Sequence, residues 1–203
     1  MNKNFIKVVA AVLSLLALLR ADNALKLVSQ SEISVNNIAE INTLSYRSCY
    51  SKPELFDVPD YDTSFKTYMN YKAITNKNSK QYKLQKLAYT DDNGFRRIDD
   101  DYLVAMGTYY SDTCGERFKI TFEDGHEITV MIGDIKNDLH TNSTNQYTAV
   151  YNSNGEFISA NVLEFIVDTS LLSKKAKNLG SVNCYEELCG NISTIEKIKG
   201  ELT

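Results

Sequence analysis

The residue with the most chemical promise is Glu164. In the run Asn161-Val-Leu-Glu-Phe-Ile-Val-Asp168, Leu163, Phe165 and Val167 point one way, while Val162 and Ile166 share the side of Glu164. Apolar neighbours strip a carboxyl of the water that stabilises its charge and so favour its protonated form. A carboxyl that keeps its proton near neutral pH can act as a general acid and pass that proton to a leaving oxygen. The competing reading is a Glu at a barrel mouth, paired with a Lys or Arg. The second cluster is Gly133-Asp-Ile-Lys-Asn-Asp-Leu-His-Thr141, with two carboxylates, an amine and an imidazole just after an apolar strand. Loops at strand ends are where sites are usually built. Asp134 is expected to orient substrate or set the proton state of Glu164, and Lys136, Asp138, His140 and Thr141 are candidate substrate contacts. The plainer readings are a turn cap for Asp134, a surface position for His140 and a solvated face for Lys136 and Asp138. For the last two the solvated face is preferred.

Other nucleophile patterns are absent from the sequence: there is no G-x-S-x-G elbow, phosphate-binding loop or H-E-x-x-H. A Cys114/His140/Asp134 thiol triad can be written down as a minor option. The spacing of Cys49, Cys114, Cys184 and Cys189 is not that of a zinc knuckle, and His126 and His140 lie far from any cysteine pair. Neither a metal nor a cofactor is expected.

The elements that must position these groups are mostly strands. Tyr102–Tyr110 is apolar on both parities, as in a strand covered on two faces. Phe118, Ile120 and Phe122, then Asp124-Gly125, then Ile128, Val130 and Ile132 spell a β-hairpin. Gln81–Gln85 alternates weakly, as a ribbon strand would, and Asn137–Gly155 reads as a polar loop. Asn161–Asp168 is a further doubly apolar strand. A helix follows, capped at Asp168, Thr169 or Ser170 and stopped by Gly180, and Asn191–Lys199 is the last strand. About six strands with one late helix are most economically buried in a closed barrel, the alternative being an α+β sheet with the helix on one face.

The chain has 203 residues, 43% hydrophobic and 24% charged, which suits a folded domain rather than a disordered one. With 22 basic and 26 acidic side chains the net charge is -4, which argues against a nucleic-acid partner. Lys3 and Lys7 precede the apolar run Val8–Leu19, which is too short for a comfortable membrane span. Residues 1–24 therefore read as a signal peptide, or as an uncleaved signal-anchor, and the protein as secreted or cell-surface and bacterial. Residues 25–97 read as an irregular extension wrapping the core, and 98–203 as the β-barrel domain. In an exported chain the cysteines are expected as structural disulfides or buried free thiols, Cys184 with Cys189 and Cys49 with Cys114 being one arrangement. Asn142-Ser-Thr and Asn191-Ile-Ser match the glycosylation pattern, by chance in a bacterial setting.

The unit Asn161–Thr169, its helix to Gly180 and the final strand resemble the closing part of exported double-psi β-barrels of the three-aspartate (3D) domain and lytic transglycosylase type. The resemblance covers about residues 102–199. It implies a six-stranded double-psi barrel, with Glu164 in place of the catalytic acid and Asp134, followed by Ile135-Lys136, in place of an earlier Asp. It departs from the family in its Glu, in lacking the Gly-Gly after the first Asp and the Pro-Leu-Gly-Thr loop, and in the long polar insertion between Asp134 and Glu164. The implied activity is cleavage of peptidoglycan glycan strands. The alternative expectation is a non-catalytic surface module that binds wall glycan or a protein, supported by the tyrosines around Tyr61, Tyr68 and Tyr71.

Overall fold

The structure is a computed structural model and describes residues 53–199. The expected signal segment 1–24, residues 25–52 of the expected extension and Cys49, with any bridge from it to Cys114, lie outside the described residues. No helix among the described residues is long and apolar enough to cross a membrane.

The fold is mainly β with two short helices. In chain order the elements are β1 (Glu54–Phe56), β2 (Thr67–Asn70), α1 (Lys80–Leu87), β3 (Tyr89–Thr90), β4 (Arg96–Ile98), β5 (Asp101–Met106), β6 (Arg117–Phe122), β7 (Glu127–Ile135), β8 (Thr148–Tyr151), β9 (Phe157–Asn161), β10 (Glu164–Val167), α2 (Lys174–Leu179) and β11 (Ile192–Ile198). Nine strands share one mixed sheet along the path β1-β11-β6-β7-β5-β10-β2, with β3 and β4 beside it, while β8 and β9 form a separate hairpin. The pairs β5–β7 and β2–β10 are parallel. One edge of β5 is divided: β4 pairs with Asp101 and Tyr102, and β10 with Val104 and Ala105.

Period-two alternation explains the core. Phe118, Ile120 and Phe122 on β6 and Ile128, Val130 and Ile132 on β7 turn one face inward, where they meet Tyr102, Val104 and Met106 of β5 and Phe165 and Val167 of β10. Leu172, Val182 and Leu188 from the segment around α2 cap this cluster. The opposite parity of β5, β7 and β10 supplies Leu103, Met131 and Ile166 to a smaller cluster under Leu84 of α1. Strand β5 is therefore buried along its whole length, as its doubly apolar sequence requires.

Two local expectations change. Gln81–Gln85 is helix rather than ribbon strand: the Ser79 hydroxyl accepts from the Tyr82 amide at 3.1 Å, and a run of Lys, Gln and Leu follows, all good helix formers. The late helix starts at Lys174, capped by Ser173, because the Asp168 carboxylate is taken by the amide and hydroxyl of Ser170 and holds that stretch in a turn. Gly180, at φ 65°, ends it as expected. Cys184 and Cys189 are free thiols, so the local bridge between them is not formed.

Among the described residues strand pairing does not close the sheet, whose path ends at β1 and β2, and it holds nine strands where six were expected. The segment Asp62–Lys66 is a strap that ties β11 to the β8–β9 hairpin. On the β11 side, Thr63 takes the Ile192 amide on its hydroxyl at 2.8 Å and gives its own amide to the Asn191 side chain at 2.9 Å. On the other side the Asp62 carbonyl accepts from the Ala160 amide at 2.7 Å, and the Asn161 side chain accepts from the Thr67 amide at 3.1 Å. Lys66 is wholly buried within the strap. Its amine donates to the carbonyls of Thr63, Ser64 and Gly190 and lies 4.9 Å from the centre of the Phe122 ring.

Candidate functional site

The sheet brings together three of the candidate residues. Glu164 and Asp134 are both register partners of Ala105, on the two strands flanking β5. Two strand spacings separate their Cα atoms, roughly 10 Å. Residues paired across a sheet share a face, and here it is the α1 face, since Leu103 and Ile166, one strand repeat away from Ala105 and Glu164, pack under α1. A bulge aims Asp134 there. Val104 pairs with Ile132 but Ala105 with Asp134, so Gly133 is an extra residue in β7. Glycine leaves room at this bulge: a Cβ on Gly133 would lie 2.7 Å from Ile166 Cδ1, so that side chain would have to move, and 3.2 Å from Leu103 Cβ. Asp134 Oδ1 accepts from the Ile135 amide at 2.9 Å and, at 3.4 Å, from Gln81 of α1.

Lys136 is not on a solvated face. Its residue is 6% exposed, and its amine donates to the Asn161 carbonyl. Burial pulls the amine down to about 8, and the nearby charge of Glu164 pulls the other way. Asn161 is itself buried, and its side chain clasps Thr67 through Nδ2 to Oγ1 at 2.7 Å. Lys136, Asn161 and Thr67 thus form a polar seam beside Glu164, which is half-buried. Chemically the arrangement offers two carboxylates on one face with a buried amine in electrostatic reach of one of them.

The remaining candidates build a loop. The Asp138 carboxylate accepts from the Thr108 hydroxyl at 2.8 Å, and the Thr141 hydroxyl engages the Asp138 carbonyl and the Asn145 side chain. His140 is exposed in the same turn. For the thiol triad, no hydrogen bond among the described residues joins Cys114 to His140, and the Cys114 thiol is pushed up to about 11, chiefly by burial and then by the charge of Asp134, the opposite of what a thiolate nucleophile needs.

A second surface lies on the β8–β9 hairpin. Tyr61 and Tyr151 are 58% and 60% exposed and Phe157 is 38% exposed, yet the rings touch. Tyr61 meets Phe157 at 5.1 Å and Tyr147 at 5.8 Å between centroids, edge to face, and Tyr151 meets Phe157 at 6.1 Å. Tyr61 stands out in the sequence but its partners Tyr147 and Phe157 do not, because Tyr147 lies in a polar stretch with the pattern of a loop and Phe157 just beyond it. The glycine at position 133, inside a strand, was a legible sign of a bulge.

No family model, curated protein or solved structure matches the chain.

Proposed function

We propose that the chain is an exported bacterial surface module that binds cell-wall glycan without cleaving it. The observation that carries this reading is the exposed aromatic group Tyr61, Tyr151 and Phe157, seated on the half-buried Tyr147. Scattered exposed rings are ordinary, but several in mutual contact mark an interaction surface. A tyrosine ring offers an apolar face to the C–H side of a sugar and a hydroxyl to its polar edge. The side chains of Asn142, Thr144 and Asn152 in the flanking turns hydrogen-bond within those turns and so hold the rings in place. In a sedimentation assay with purified peptidoglycan we expect saturable binding with no released fragments, weakened about tenfold by a Tyr61→Ala/Tyr151→Ala pair. Wild-type binding by that variant overturns the reading, as does binding confined to a protein component of the wall preparation.

A catalytic reading has one specific observation in its favour, the shared register of Glu164 and Asp134 with Ala105. In that reading the barrel is of double-psi type, Glu164 protonates the glycosidic oxygen while a sugar hydroxyl attacks, and Asp134 serves as the second carboxylate if water attacks instead. The two carboxylates lie on the face that packs under α1, whose Gln81 donates to Asp134, whereas the rings of Tyr61 and Tyr151 stand open to solvent. The binding reading is therefore preferred. Fragment release that disappears in a folded Glu164→Gln variant reverses the preference.

A further inference from the structure

A cleft of about 540 Å³ opens between the turn after β2 and α1, and no residue of the aromatic hairpin lines it. Its volume is within the range of small-molecule sites. Lys72, Lys77, Lys86 and Arg96 line it together with Tyr71 and Tyr82, and among the described residues no acidic side chain does. In a chain with net charge -4 this is a local reversal of sign.

Arg96 makes the cleft more than a patch of surface lysines. Its residue is 8% exposed, and its guanidinium is held by neutral acceptors alone: the Gln85 side chain at 3.1 Å, the Gln85 carbonyl, the Ala88 carbonyl at 2.7 Å and the Thr90 hydroxyl at 2.7 Å. Among the described residues no carboxylate comes within ion-pair distance of it. Four of its five N–H groups are thus fixed by the fold. Tyr71 lies between two cations, with Arg96 at 4.6 Å and Lys72 at 5.5 Å from the ring centre, and Lys86 sits 5.7 Å from the Tyr82 ring. Lys72 is partly answered by Asp168 at 3.8 Å, whereas Lys77 and Lys86 take part in no ion pair among the described residues. Asp168 acts on the Arg96 charge from beyond ion-pair distance, and a guanidinium held in place by neutral acceptors, with one N–H left and flexible ammonium groups beside it, suits a compact oxyanion.

We propose that this cleft binds a phosphate-type oxyanion, either a phosphate ester borne on a sugar or free phosphate. The site is independent of the aromatic hairpin, so failure of one reading leaves the other standing. Titration of the full chain with inorganic phosphate and with glucose 1-phosphate at low ionic strength, followed by amide and Arg96 Nε NMR shifts, tests it. Saturable shifts centred on Tyr71–Lys77 and on α1 are expected, with a Kd of about 1 mM or tighter that weakens as salt is added. A Lys77→Ala/Lys86→Ala variant changes only exposed side chains and leaves the Arg96 clamp intact, and it should weaken binding at least about tenfold. Either ranking of the two probes supports the site, the tighter one naming the source of the anion. No saturable shift up to about 10 mM, or shifts unchanged in the double-lysine variant, overturns it.

Discussion

Replacing Gly107 by alanine should unseat the loop Asn142–Tyr147 and cost on the order of 3 kcal/mol of stability. A Cβ at this position would lie 1.9 Å from the Asn145 carbonyl oxygen and 2.9 Å from its carbonyl carbon. Both are backbone atoms, so no rotamer change relieves the clash. Nor is the loop free to shift by itself. The Asn142 side chain accepts from the amides of Gln146 and Tyr147, Asn145 holds φ 58°, and its carbonyl takes the Tyr109 amide at 3.3 Å. Because Tyr147 leads directly from this loop into the aromatic group, the same variant should lose glycan binding along with stability. Thermal unfolding and sedimentation with peptidoglycan read the two effects separately. A Gly107→Ala protein with wild-type melting would mean that the loop does not sit on this residue as described.

The second large effect concerns pH. Burial draws Lys66 and Lys136 down to about 8 from the ordinary 10.5, against the opposing pull of Asp62 and Cys189 on the first and Glu164 on the second. The unfolded chain holds these protons well above the pH at which the native amines release theirs, so between those values it binds more protons than the fold does. Raising the pH through that window therefore stabilises the protein, by up to about 3 kcal/mol for each lysine. Buried acids, Tyr110 among them, oppose the trend at higher pH. The Cys114 thiol moves from 9.0 to about 11 and the Tyr102 phenol from 10.0 to about 12, both mainly by burial, and stability carried by those protons is lost as they leave. Urea midpoints should thus rise from about pH 7.5 to about pH 9 and turn down above about pH 10. In Lys136→Met about half of the rise should vanish, with stability near neutral pH equal to wild type or higher, because an apolar chain of similar length suits the buried site. A flat profile in the wild type would contradict the burial of both amines.

The parts of this fold legible in the sequence are those written in short-range pattern. The β6–β7 hairpin follows from alternation around Asp124-Gly125, and the two-sided burial of β5 from an apolar run without gaps. Arg96 and Arg97 show the same rule on a smaller scale. As neighbours on β4 they go to opposite faces, Arg97 over the Tyr102 ring at 3.5 Å and Arg96 under α1. What escaped was set by distant partners. Lys136 looks like a solvated lysine until the Asn161 carbonyl is brought to it, and α1 shows too few turns for its periodicity to stand out. Glu164 stands out as a carboxyl among apolar neighbours and Asp134 as a carboxylate at a strand end. Their common face depends on the one-residue slip at Gly133, which shifts every later side chain of β7 relative to β5.

The strap Asp62–Lys66 has a consequence for how the chain is made. Its partners at Gly190, Asn191 and Ile192 are among the last described residues to be synthesised, and the hydroxyl of Thr63 waits for an amide 129 positions downstream. Contacts of such long sequence separation form late and slowly. A nascent chain emerging from a ribosome or a translocation pore would carry its clasp unfastened until almost the whole polypeptide had passed, and would stay threadable for that time.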